Sequence, residues 1–196
     1  ALMNGDESNG VASYTICGGG LTVEVLDVGA AIRDIRLEGV DHPLVLGLAH
    51  LGHYPEHSAH MGAIAGRVAN RIAGAKFRID GTMYEGPRNL DGRDMLHGGP
   101  AGFGTRRWSM VEHTKSTLTL QLHSPAGEAD FPGDMTALCT YECSGAGELT
   151  IALDAVANAR TLVNLAPHTY FNLDDSITID AHELLVHAPR YTPVDH

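Results

Sequence analysis

Two histidines of this sequence stand in surroundings that suit acid–base chemistry on a polar ligand. His97 lies in the glycine-rich segment 95–103, and His168 directly precedes the polar and aromatic segment 169–172. Glycines remove side-chain bulk, so a ligand can approach the backbone and the imidazole closely. Hydroxyl and aromatic groups beside an imidazole are typical of a sugar site, because rings stack on the sugar and polar groups bond its hydroxyls. For either histidine alone, a buried structural role is the competing interpretation.

A second segment rich in glycine and alanine, residues 62–72, contributes further candidate ligand-binding groups. It carries Arg67, Asn70 and Arg71, whose N–H donors are of the kind that bind hydroxyls or carboxylates. The pattern alone does not distinguish such a site from a surface turn with solvated arginines.

Four closely spaced histidines raise the alternative of a metal centre. They are His50, His53, His57 and His60. On a helix their spacing would align them on one face, where imidazoles bind zinc or nickel. Gly52 and Pro55 disfavour a helix there, and no carboxylate or cysteine follows at a recognised offset. We therefore favour a polar surface loop and expect no metal.

Charge and cysteine content restrict the class of protein. The chain has 13 Lys and Arg against 24 Asp and Glu, a formal net charge of −11, which argues against a nucleic-acid partner. The three cysteines, Cys17, Cys139 and Cys143, are odd in number and match no zinc spacing, so they favour reduced thiols and a cytoplasmic location. No stretch reaches the roughly 20 apolar residues of a membrane span, and we expect no membrane association.

The hydrophobic pattern has a period of two, which indicates half-buried strands. Leu118, Leu120 and Leu122 alternate with polar residues, and the segment 149–154 repeats the pattern. Further strands are predicted at residues 11–17, 21–28, 31–37, 76–80, 83–85, 107–113, 135–142, 160–165 and 177–187. Asp80-Gly81 between two of them predicts a hairpin. The expected fold is all-β, an antiparallel β-sandwich or barrel.

Several motifs, in one order along the chain, resemble those of the aldose 1-epimerase (galactose mutarotase) family. They are Gly-Arg-Val-Ala-Asn-Arg-Ile at 66–72, Phe-Arg-Ile-Asp-Gly at 77–81, Leu-His-Gly-Gly at 96–99, Gly-Phe at 102–103, Trp108, Asp-Phe-Pro-Gly at 130–133, and the segments 164–165, 168–173, 182–184 and 190–195. The resemblance covers the chain from about Gly20 onward. It implies an all-β supersandwich that interconverts the α and β anomers of free aldohexoses such as galactose and glucose, without a cofactor.

The resemblance also assigns roles to residues of this sequence. His168 is expected to be the general acid that protonates the ring oxygen, and His97 a catalytic partner that bonds the sugar beside the anomeric centre. Asn70 and Arg71 correspond to the hydroxyl-binding pair. Thr169 and Tyr170 correspond to further sugar contacts.

Two departures from the family pattern stand out. Pro167 lies where the family often has a polar residue before the histidine, and the second, more serious departure leaves the function open to alternatives. The family's general base is a glutamate of the C-terminal part, and these 196 residues hold no match for it. We therefore expect residues 1–196 to form one mutarotase-like sandwich domain that lacks the C-terminal part of the family fold. The alternatives are a non-catalytic sugar-binding or sugar-sensing relative and a hexose 6-phosphate 1-epimerase. The second would need a cationic site, for which Arg88, Arg93, Arg106 and Arg107 are candidates. The sequence leaves the preferred sugar and a homodimeric assembly open.

Overall fold

The computed structural model describes residues 10–57 and 60–191, and these are organised almost entirely as β-strands. The strands are β1 (Ser13–Gly18), β2 (Leu21–Leu26), β3 (Ile32–Leu37), β4 (Ile64–Ala65), β5 (Arg71–Ile72), β6 (Lys76–Ile79), β7 (Thr82–Glu85), β8 (Met95–Leu96), β9 (Ser109–His113), β10 (Thr117–Ser124), β11 (Met135–Cys143), β12 (Leu149–Ala157) and β13 (Ala166–Pro167). Residues 192–195 of the last sequence motif lie outside this range.

Two antiparallel sheets form the main body. One has the order β1-β2-β3, and the other has the order β12-β11-β10-β9. Three short two-stranded pairs accompany them: β4 with β13, β5 with β8, and β6 with β7. The predicted all-β antiparallel sandwich is confirmed.

The core lies between the two sheets, as the alternating sequence pattern requires. Leu118 and Leu120 of β10 are fully buried in one cluster with Ile16 and Val23 of the three-stranded sheet. The apolar side chains of alternate residues face this cluster, and their removal from water is the main stabilising term. In the same layer the buried hydroxyl of Tyr141 donates a 2.6 Å hydrogen bond to the carbonyl of Ala30.

The hairpin predicted at Asp80-Gly81 is confirmed. Ile79 of β6 pairs with Thr82 of β7, and the two turn residues have φ values of 49° and 85°. Positive φ at both central positions gives a turn whose twist matches that of the strands, and glycine accepts it without steric cost.

Two predicted strands are wrong. Residues 160–165 contribute only a single bridge, between Asn164 and Val68. Residues 177–187 form no strand, although Ile177 and Leu184 are highly exposed apolar residues. Within this segment, local hydrogen bonds form instead of strand pairing. The Thr178 hydroxyl donates to Asp180, and the amide of His182 donates to the carbonyl of Ile179. Such local bonding competes with strand pairing.

The expectation of no helix near Pro55 is also wrong, because the structure has a single helical turn there. A 3-10 segment at Leu51–His53 leads into α1, Tyr54–His57. Pro55 lies in the first turn of α1, where its missing N–H loses no helical hydrogen bond. With four residues, α1 is far shorter than a bilayer-spanning helix, and no described helix could cross a membrane.

Arg67 is the largest fully buried side chain of the described residues, with 1% exposure. It is neither solvated nor directed at a ligand, contrary to both interpretations of its segment. Its guanidinium donates to the hydroxyl and carbonyl of Ser124, to the carbonyls of Pro125 and Pro132, and more weakly to Thr161 Oγ1 at 3.4 Å. It therefore attaches the chain after β4 to the end of β10 and the loop that follows.

We predict that Arg67→Met lowers the free energy of unfolding by about 3–5 kcal/mol, because it leaves buried carbonyl oxygens without donors. Arg67→Lys should recover only a small part, since an ammonium cannot reproduce the planar fork of donors. Urea unfolding followed by fluorescence measures both. The matched control is Arg160→Met, which removes an exposed ion pair with Asp80 and should cost less than about 1 kcal/mol. A loss at Arg67 no larger than the control would contradict the prediction.

Candidate active site

One open cavity of about 490 Å³ collects most of the residues expected to do chemistry. Its polar and aromatic lining consists of His60, Asn70, Arg71, His97, His168 and Tyr170. The volume is typical of a site for a small molecule. Thr169, also expected to contact a sugar, is half-buried and does not line this cavity. His60, by contrast, lines it and was not predicted.

The β5–β8 pair brings Asn70 and Arg71 beside His97. Arg71 pairs with Leu96, and just beyond this pair the amide of His97 donates to the carbonyl of Asn70 at 3.0 Å. In return, the amide of Asn70 donates to Nδ1 of His97, also at 3.0 Å. Arg71 Nη1 donates to Asn70 Oδ1 at 2.8 Å, so the two side chains form one unit at the cavity wall.

The glycines after His97 serve backbone packing rather than ligand approach, which corrects the sequence interpretation. A Cβ at Gly98, where φ is 83°, would lie 2.0 Å from the carbonyl oxygen of Gly66. A Cβ at Gly102 would lie 2.2 Å from the carbonyl oxygen of His97. No side chain fits at such distances, so glycine is required for this loop to lie against the segment that carries Asn70.

His168 is positioned by the β4–β13 pair. Ala166 pairs with Ala65, and beyond this pair the amide of His168 donates to the carbonyl of Ala63 at 2.8 Å. The amide of Gly62 donates to the carbonyl of His168 at 2.9 Å. These bonds place the His168 ring 5.0 Å from that of His97, edge to face, and 5.2 Å from that of Tyr170. The two histidines that the sequence singled out therefore meet in one cavity.

His60 completes a cluster of three imidazoles. Its ring centroid lies 4.8 Å from that of His97 and 6.2 Å from that of His168. Sequence reasoning missed it because the spacing of His50, His53, His57 and His60 was interpreted as one helix face or one loop. The available signal was position, since His60 stands two residues before the glycine-rich segment 62–72.

The histidines of the 50–60 segment do not meet as one group among the described side chains. His50 and His53 have rings in contact at 5.3 Å, while His60 turns into the cavity, and the side chain of His57 lies outside the described residues. Within the described part of the chain, no group of three or more His, Cys, Asp or Glu residues could hold a metal ion. In the imidazole cluster, Nδ1 of His97 already accepts the Asn70 amide, so that atom is not free to bind a metal.

Electrostatics keep His97 neutral. Burial, followed by the neighbouring His60, His168 and Arg71, lowers the pKa of His97 from 6.5 to about 4. The hydrogen bond from Asn70 agrees with this, because an Nδ1 that accepts an N–H carries no proton. The neutral ring must then hold its proton at Nε2, and His97 is a hydrogen-bond donor of defined orientation. Burial and the neighbouring His168 likewise lower the pKa of His60.

The four arginines considered for a phosphate site do not converge on this cavity. Each lies beside a carboxylate instead: Arg88 with Glu85, Arg93 with Asp94, Arg106 with Glu128 and Arg107 with Asp27. Each positive charge is thus already matched by a neighbouring negative charge.

We predict that ¹⁵N NMR of histidine-labelled protein finds His97 as the neutral Nε2–H tautomer from pH 8 down to about pH 5, with a titration midpoint near pH 4. A pKa below the ordinary 6.5 means that the unfolded chain binds a proton that the folded chain does not. The stability contributed by His97 is therefore complete above pH 6.5 and is lost as the pH falls toward 4. His97→Gln should make the unfolding free energy less dependent on pH in that interval. A midpoint above pH 6 would contradict the assignment.

Comparison with known proteins places this chain in a family. The family model for aldose 1-epimerase matches residues 12–196. Aldose 1-epimerase of Haemophilus influenzae is 34% identical over 182 residues, 90% of this chain and 53% of that protein. Galactose mutarotase of mouse is 38% identical over 180 residues, 89% of this chain and 52% of that protein.

Solved structures agree. An aldose epimerase homologue from C. elegans superposes with a TM-score of 0.81 at 30% identity, over 86% of this chain and 53% of that one. Galactose 1-epimerase from Lactobacillus acidophilus gives a TM-score of 0.73 at 27% identity, over 83% of this chain and 52% of that one. The chain spans about half the length of the curated relatives it matches. From the sequence match and the shared fold, we conclude that the chain belongs to the aldose 1-epimerase family.

Proposed function

We propose that the protein interconverts the α and β anomers of a free aldohexose, with galactose and glucose as the first candidates. The observation that carries the proposal is the meeting of the His97 and His168 rings, 5.0 Å apart, in a cavity with the Arg71–Asn70 pair on its wall. The relatives are named as aldose 1-epimerases and galactose mutarotases, which supports the same reaction.

Mutarotation needs two proton transfers and one rotation. A proton is delivered to the ring oxygen while another leaves the anomeric hydroxyl, so the bond from C1 to the ring oxygen breaks and an aldehyde forms. Rotation about the C1–C2 bond then presents the other face of the aldehyde, and reversal of both transfers closes the ring. A site for this reaction must therefore hold the distant hydroxyls firmly and leave C1 free to turn.

The hydrogen bonding and the lowered pKa of His97 restrict its role. His97 is neutral, with Nδ1 occupied by the Asn70 amide, so it can donate a hydrogen bond but is poorly suited to carry the exchanged proton. We assign that proton to His168, as the general acid at the ring oxygen. Positioned acid–base groups accelerate such steps by roughly 10²- to 10⁴-fold.

Arg71 and Asn70 are assigned to the hydroxyls on the far side of the sugar. Their mutual hydrogen bond fixes the guanidinium, which leaves its remaining donors oriented for a ligand. Tyr170 lies beside the His168 ring and is 40% exposed, so it offers an aromatic surface at the cavity edge. Thr169, also assigned to sugar contact by the resemblance, stays a prediction.

The reaction also needs a base for the anomeric hydroxyl. None of the described residues that line the cavity is a carboxylate. The resemblance assigns the base to a glutamate in the C-terminal part of the family fold, and that assignment, like the cytoplasmic location and the homodimer, remains a prediction. A sugar-binding module that lacks the base is therefore the alternative to be tested.

The pairing of four arginines with carboxylates disfavours a 6-phosphate substrate.

We predict that the full-length protein accelerates the polarimetric decay of freshly dissolved α-galactose, and that His168→Gln lowers kcat by about 10²-fold or more with a much smaller effect on KM. His123→Gln is the matched control, because His123 is exposed and lies outside the cavity. Calorimetry with galactose runs in parallel. Binding in the millimolar to micromolar range, about −4 to −8 kcal/mol, without faster decay would replace the enzyme by the binding module. If the protein shows no binding of galactose and no faster decay, both the enzyme and the binding module are refuted.

A further inference from the structure

The turn that carries His60 is held in place by backbone hydrogen bonds and close packing. Its backbone is left-handed, with φ of 63°, and its carbonyl accepts the amide of Ala63 at 3.0 Å. The neighbouring Gly62 bonds to the carbonyl of His168, and a Cβ at Gly62 would lie 1.9 Å from the carbonyl oxygen of Ile32. The turn is thus held closely between β3 and His168, and the His60 ring has a fixed position relative to its neighbours.

The two nitrogens of His60 have different surroundings. Nδ1 is buried and has no hydrogen-bond partner among the described residues. It faces Gly104, where a Cβ would lie 3.0 Å from it. A buried N–H without an acceptor is rarer and more costly than a buried lone pair. The proton of the neutral ring is therefore expected on Nε2, at the other edge of a side chain that lines the cavity.

Charge also keeps His60 neutral. The other titratable and charged side chains that line the cavity are Arg71, His97, His168 and Tyr170, and none of these described residues is a carboxylate. Protonation would place a positive charge against these groups and would bury an unpaired N–H at Nδ1. Burial and His168 lower the pKa of His60, in agreement with both effects. His60 is thus suited to donate a hydrogen bond and unsuited to carry the exchanged proton.

We propose that His60 is a further sugar-binding residue, whose Nε2–H donates a hydrogen bond to a hydroxyl of the bound aldohexose beside the one from His97. The inference rests on the proposed function and deepens it. It predicts a role in binding rather than in proton transfer, because the same interaction is available before and after the ring opens. Together, the two neutral imidazoles, 4.8 Å apart, form a pair of fixed donors in front of the proposed acid.

Two variants of the full-length protein test the proposal. His60→Phe keeps a flat ring but removes the donor, whereas His60→Gln keeps an N–H donor near the position of Nε2. We expect His60→Phe to raise KM and the calorimetric Kd for galactose by about 3- to 10-fold with little change in kcat, as for the loss of one neutral hydrogen bond. His60→Gln should stay within about 3-fold of the wild type. Circular dichroism checks that both variants fold.

A series of monodeoxygalactoses identifies the partner hydroxyl. The sugar that lacks it should bind the wild type and His60→Phe with equal affinity, while the other deoxy sugars keep the difference. Unchanged KM and Kd in an otherwise active His60→Phe variant would overturn the inference and leave the proposed function intact. A fall in kcat without a change in KM would also overturn it. If the wild type neither binds nor converts any aldohexose, the proposed function fails first, and the inference fails with it.

Discussion

The burial of one guanidinium determines where the site can form. Arg67 directs its donors to oxygens at the end of β10 and in the loop beyond it, and its own carbonyl accepts the amide of Asn164 at 2.9 Å. This contact fixes the short connection between β4 and β5. The loop that carries His97 then packs on the same connection, since Gly98 leaves room for the carbonyl of Gly66. Loss of these contacts would remove the wall that carries Asn70 and Arg71.

Several of the residues that line the cavity have a strained, left-handed backbone conformation. Nine non-glycine residues of the described chain have positive φ, and three of them, His60, Asn70 and His97, line the cavity. A left-handed conformation costs an ordinary residue on the order of 1 kcal/mol. Such conformations persist where surrounding hydrogen bonds define them, and they concentrate at functional sites. Here the reciprocal bonds between Asn70 and His97 hold two of the three.

The cluster of imidazoles defines the kind of ligand that the cavity suits. Three rings within about 6 Å of one another disfavour more than one positive charge, and two of them have lowered pKa values. The described lining therefore offers neutral N–H donors and one guanidinium rather than a concentrated charge. A neutral polyhydroxyl ligand matches that character, because its hydroxyls accept such donors without requiring a counter-charge. An anionic sugar would find one cation, Arg71, in the described lining.

The local sequence pattern determined several strands and turns of this protein. Alternation of Leu118, Leu120 and Leu122 specified a strand and Asp80-Gly81 specified a turn, since each depends on neighbouring residues. The motifs and their order along the chain indicated the family. Tertiary structure decided the rest: Arg67 is buried because its acceptors come from residues 124–132, and His60 joins the site because its turn bonds to His168, more than a hundred positions later. Segment 177–187 has strand composition but forms no ladder. Pairing requires a partner, and long-range contacts are a property of the folded chain that no local pattern encodes.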